Sequence, residues 1–72
     1  MTRKEHIQWC KKRAHEYVGA GDLDQAVTSM LSDLGKHDET RGLLDFAGGL
    51  GLMTLMSPTR DSVVKFIEGF AE

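Results

Sequence analysis

His6 and Cys10 stand four residues apart in a segment of helical periodicity, which makes an imidazole and a thiol neighbours on one helix face. Such a pair could act as base and nucleophile, or supply two ligands to a metal ion. His15 and His37 could add further ligands, but the chain has no CxxC, HExxH or four-ligand spacing. A lone cysteine on an apolar stripe is most often a small core residue. Gly49-Leu50-Gly51 matches half of a dinucleotide-binding fingerprint, yet it follows no strand and lacks the third glycine, so it reads as structural. Met30, Met53 and Met56 could form an adaptable binding surface; at helical spacing in a small protein they read first as core. No catalytic residue, metal site or cofactor is expected, and the chain reads as a non-enzyme.

Trp9 carries the clearest binding signal. On a helix it points about 80° away from Tyr17, at the edge of the apolar stripe, and it is flanked by Lys12 and Arg13. Tryptophan and arginine are enriched at the centres of protein interfaces, so Trp9, Lys12 and Arg13 are the expected partner-binding residues. The alternative lays Trp9 over the rim of the core, where burying so large a ring is favourable.

The elements that must position these residues are all helical. Thr2 and Glu5 form a capping box ahead of a first helix whose Ile7, Cys10, Ala14, Tyr17 and Val18 share one face. Gly19-Ala20-Gly21 ends it, and Asp22 with Gln25 reads as a second capping box. In the second helix Leu23, Ala26, Val27, Met30, Leu31 and Leu34 recur at i, i+3, i+4, i+7, i+8 and i+11, and Gly35 closes it. A third helix is expected from Asp38 or Thr40 toward Met56, interrupted in composition by Gly48, Gly49 and Gly51. Its apolar residues (Leu43, Leu44, Phe46, Leu50, Leu52, Met53, Leu55) occupy most of its circumference, the pattern of a helix enclosed by others or by a second subunit. Ser57 as cap and Pro58 at the first helical position predict a fourth helix, with Val63, Val64, Ile67, Phe70 and Ala71 on one face and Phe66 at its margin. Period-two alternation is absent. The expected fold is all-α, a small bundle of about four short helices forming a single domain over residues 1–72.

Composition narrows the function classes. Leu43 to Met56, the longest apolar stretch, spans fourteen positions and contains Asp45 and three glycines, short of the ~20 residues of a membrane span. The N-terminal residues carry no apolar signal core, and a single cysteine implies no disulfide, so a cytoplasmic location is expected. The net charge of −2 is uneven, with +4 over residues 1–13 and −6 over the remainder.

Two resemblances add to this reading. Ala14, Tyr17, Gly21, Ala26 and Met30 make the segment from Cys10 to Leu34 similar to a single tetratricopeptide-type helical hairpin. Asp33 and Asp38 depart from that repeat, and Pro58 rules out a second copy of it. More extensively, the chain resembles a group of short uncharacterised proteins from tailed-phage genomes. That likeness lies in residues 2–10 (Thr2-Arg3-Lys4-Glu5-His6-Ile7-Gln8-Trp9-Cys10) with Arg13-Ala14, in Ala20-Gly21-Asp22-Leu23, in Ser32-Asp33-Leu34 with Lys36-His37, and in residues 65–70 (Lys65-Phe66-Ile67-Glu68-Gly69-Phe70). The segment from Asp38 to Ser57 departs from it. The resemblance implies a phage or prophage accessory role, such as host takeover or anti-defence inhibition.

Three functions follow as expectations. The first is a non-catalytic protein that binds a host protein through Trp9, Lys12 and Arg13. The second is a helix-turn-helix DNA-binding regulator. It is disfavoured because the segment from Leu23 to Leu34 offers Asp24 and Asp33 and no lysine or arginine. The third is a homodimer that buries the apolar third helix, compatible with the first.

Overall fold

The computed structural model describes residues 2–70, the side chains of Asp38, Glu39 and Phe46 aside. Helix α1 (Arg3–Gly19) starts where its capping box places it. Thr2 Oγ1 accepts from the Glu5 N–H at 3.1 Å, and Glu5 Oε1 accepts from the Thr2 N–H at 3.0 Å. The Thr2 backbone N–H, with the Thr2 hydroxyl beside it, holds the Glu5 carboxyl below its usual range. After α1 the chain reverses at Gly21, whose φ of 80° is a left-handed conformation that suits glycine. Helix α2 (Leu23–Leu34) follows, capped by Asp22 Oδ1 on the Gln25 N–H at 3.4 Å. The reciprocal half of the box expected from Gln25 is not made, because the Asp22 N–H already donates to the Tyr17 carbonyl at 2.9 Å.

The expected third helix is two helices. A single turn, α3 (Asp38–Arg41), ends at Gly42-Leu43, and α4 (Leu44–Met56) begins without a side-chain cap. The break follows from Thr40, which is fully buried and whose hydroxyl bridges the Leu34 carbonyl at 2.6 Å and the His37 carbonyl at 3.1 Å. That anchor ties the turn to the end of α2, so the chain must change direction before it can lay α4 back along α2. A Cβ at Gly51 would sit 2.9 Å from Leu31 Cδ1 and 3.5 Å from Val27 Cγ1, so this glycine sets how closely the two helices approach. Helix α5 (Arg60–Glu68) starts two residues later than Ser57-Pro58 suggests. Thr59 is the cap, and it exchanges hydrogen bonds of 3.1 Å each way with Ser62. With serine at the third position, this box satisfies two N–H groups that Ser57 would have left open.

Helix α2 is the hub of the packing, in contact with α1, α4 and α5. The core joins Ile7, Cys10 and Ala14 of α1 to Val27, Met30 and Leu34 of α2, Ala47 of α4, and Val63 and Ile67 of α5. Phe66, expected at the margin, is buried edge-to-face on Phe70 with ring centroids 5.4 Å apart. Met30 is core as expected, but Met53 and Met56 are exposed, because α4 turns its Ala47 and Gly51 side to the interior. The expectations placed on Ala71 and on the side chain of Phe46 lie outside the described residues. The protein is all-α: among the described residues there are four helices of nine or more residues, one single-turn helix and no strand. None of these helices is long and apolar enough to cross a membrane.

Candidate functional site

The densest polar constellation is built around Asp33, in the last turn of α2. Its side chain is 2% exposed, and a helix C-terminus is electrostatically the wrong end for an anion, so the carboxylate needs compensation. Compensation arrives from two directions. Arg13 Nε of α1 donates to Oδ2 at 2.8 Å, and Lys36 Nζ, just beyond α2, donates to Oδ1 at 3.1 Å. Ser29 Oγ, one turn earlier in α2, adds a 3.3 Å bond to Oδ2. The Asp33 carbonyl accepts from His6 Nε2 at 2.8 Å, so Nε2 of the buried imidazole carries a proton. His6 and Arg13, two turns apart on α1, thus grip the end of α2 through its backbone and its side chain.

Trp9 sits between those two contacts. Its ring stacks on His6 at 5.5 Å, with the Arg13 guanidinium carbon 4.8 Å and Lys36 Nζ 5.9 Å from the ring centroid. His37 extends the stack, 4.9 Å from His6. The two cations therefore serve a buried carboxylate and an aromatic face at once, which fixes the half-buried indole in one orientation. From Arg13 the same side of α1 continues as an open depression of about 320 Å³ lined by Arg13, Glu16, Tyr17 and Ala20.

Of the residues expected to bind a partner, the structure brings Trp9 and Arg13 together and leaves Lys12 flanking them on α1. Arg13 is committed to Asp33, a role in the fold that its place beside Trp9 does not announce. Asp33, an acidic residue in a helix considered for DNA contact, is instead buried. A local signal exists, since Asp33 lies three residues after Met30 and seven after Ala26, on the apolar face of α2. His15 lies elsewhere, paired with Glu68 of α5.

His6 and Cys10 share the buried face, and the site they make is not nucleophilic. Burial, reinforced by the Asp33 carboxylate, pushes the Cys10 thiol from 9.0 up to about 11. The folded state therefore favours the protonated thiol, while the unfolded chain ionises first. Stability from this source is complete below about pH 9 and is lost as pH rises toward about 11. Urea melts at rising pH are expected to show this loss, and Cys10→Ala is expected to remove it. An equal decline in both proteins would refute the assignment. Among the described residues, no group of three or more histidine, cysteine, aspartate or glutamate side chains is placed to hold a metal ion.

A second feature lies on α4. Leu52, Met53 and Met56 are 66%, 69% and 83% exposed. On the same helix Leu50 and Thr54, with Lys65, Phe66 and Phe70 at α5, border an open groove of about 350 Å³. Comparison of the chain with family models, curated proteins and solved structures gives no match.

Proposed function

We propose that this chain is a non-catalytic phage- or prophage-type accessory protein, acting in the host cytoplasm by binding a host protein through the surface around Trp9, Lys12 and Arg13. The observation that carries the reading is the half-buried Trp9 ring, with the Arg13 guanidinium carbon 4.8 Å and Lys36 Nζ 5.9 Å from its centroid, one turn before Arg13 at the edge of the α1 depression. A partner docking there meets an aromatic anchor already ordered, so little side-chain entropy is lost on binding. Lys12 adds an exposed positive charge at the rim, which suits an acidic patch on the partner. The resemblance to tailed-phage proteins supports a target in host takeover or anti-defence. Nucleic acid suits the surface less, since the exposed positions of α2 include Asp24, Gln25, Thr28 and Ser32 and no cation.

The test is tagged affinity capture from host lysate, with and without nuclease. Replacing Arg13 would also strand Asp33, so the informative variant is Lys12→Glu with Trp9→Phe. The expected result is one nuclease-resistant protein at near-equal stoichiometry, reduced at least roughly tenfold by the variant while its helical CD signal is kept. Capture that vanishes with nuclease, or that is indifferent to the variant, would overturn the reading.

Self-association through α4 is a second reading, favoured by the exposure of Leu52, Met53 and Met56. Three large apolar side chains open to water on one short helix are the composition of a covered face.

A further inference from the structure

Resting on the Trp9 reading of the function, we infer that this surface recognises a single carboxylate of the partner, an aspartate or glutamate side chain with an apolar neighbour. Arg13 grips the carboxylate, and the α1 depression takes the neighbour. Arg13 reaches Asp33 through Nε at 2.8 Å. The Nη1/Nη2 edge, which carries most of the N–H donors of a guanidinium, takes no part in that bond, and the Arg13 side chain is 43% exposed. A guanidinium anchored from behind by a buried carboxylate and laid against Trp9 is already oriented, so its outer edge meets a second carboxylate in bidentate geometry with little loss of freedom. Asp33 balances the cations from inside, at 2% exposure, whereas half-exposed Lys36 and exposed Lys12 stand at the surface with Arg13. The neutralising charge is hidden and the positive charges are presented.

Two acidic residues limit what fits. Glu5 lies four residues before Trp9 and Glu16 three after Arg13, both exposed on the Trp9 side of α1. They bracket the cations, so a chain of phosphates laid along α1 meets repulsion at either end. A nucleobase finds the Trp9 ring already stacked on His6. One carboxylate set between Glu5 and Glu16 avoids both obstacles. Beyond Arg13 the depression of about 320 Å³ is lined also by Tyr17 and Ala20, which suits an apolar side chain next to that carboxylate.

Heteronuclear NMR of the intact chain tests the proposal, because Trp9 is the sole tryptophan and its indole N–H signal reports on this surface. The probes are a capped synthetic peptide with one glutamate beside a phenylalanine and its glutamine counterpart, both at low ionic strength. The expected result is a saturable shift of the Trp9 indole and Arg13 Nε–H signals with the glutamate peptide. Affinity is expected to be roughly tenfold lower for the glutamine peptide, and for the glutamate peptide with Arg13→Lys, which keeps the charge and loses the fork. Lys12→Gln, which leaves Asp33 paired, is expected to weaken binding about threefold. Equal binding of the two peptides, or no binding of either, would overturn carboxylate recognition, and indifference to Arg13→Lys would overturn the role of Arg13. Larger shifts with oligothymidylate than with the glutamate peptide would assign the surface to nucleic acid. Host-protein capture that is lost with Lys12→Glu and Trp9→Phe, while neither peptide binds, would keep the Trp9 surface as the partner site and overturn its carboxylate chemistry alone.

Discussion

Arg13→Met is expected to lower the unfolding free energy by about 2–3 kcal/mol, a large share of the roughly 4–11 kcal/mol expected for a chain of this length. The size follows from an asymmetry of burial. The Asp33 side chain is 2% exposed, whereas those of Arg13 and Lys36 are 43% and 57% exposed. Removing the arginine leaves a buried carboxylate served only by Lys36 and Ser29, and its burial limits the water that could compensate. Removing the carboxylate instead frees two cations that are already half in solvent. Asp33→Leu is therefore expected to cost less than Arg13→Met, and the double variant to cost less than the sum of the two. Urea melts followed by helical CD measure all three. Additive losses, or a larger loss for Asp33→Leu, would show that the pair is not the coupled unit described.

Leu34→Ala is expected to cost about 2–5 kcal/mol, with a fall in Tm of more than about 10 °C. Leu34 is fully buried in the core shared with Ile7, Met30 and Ile67, at the end of α2 where its own carbonyl also receives Thr40. A cavity there removes packing from the helix on which α1, α4 and α5 converge. Leu52→Ala at dilute, monomeric concentration serves as the control, because Leu52 is mostly exposed and such changes stay within about 0.5 kcal/mol. Similar losses for the two would contradict the division between the core and the open face of α4.

The stripe on α2 and the stops around it are legible in the chain itself, and so are both ends of α1. Their signals are local: a capping box at Thr2 and Glu5, a left-handed glycine at Gly21, and an apolar period that one face of a helix must satisfy. Thr59 is also legible in principle, but Ser62 in place of glutamate or glutamine hides the box that makes it a better cap than Ser57. Trp9 beside Arg13 is readable from their four-residue spacing.

Other features depend on residues distant in the chain. The break between α3 and α4 needs the Thr40 hydroxyl to find the carbonyl of Leu34, and Gly51 matters only because Leu31 and Val27 lie against it. Asp33 becomes a buried anion because α1 brings Arg13 and His6 to the end of α2, an arrangement that no helical period encodes. The same holds for α4. A helix that is apolar around most of its surface specifies only that much of it wants cover, and packing geometry chooses which side receives it. By itself the sequence determined the all-α class, the limits of α1 and α2 and the stripe of the core, because hydrogen bonds and side-chain periods within a helix are local. Tertiary structure alone decided which charge is buried and which apolar face stays open, because both depend on what another helix brings to that place.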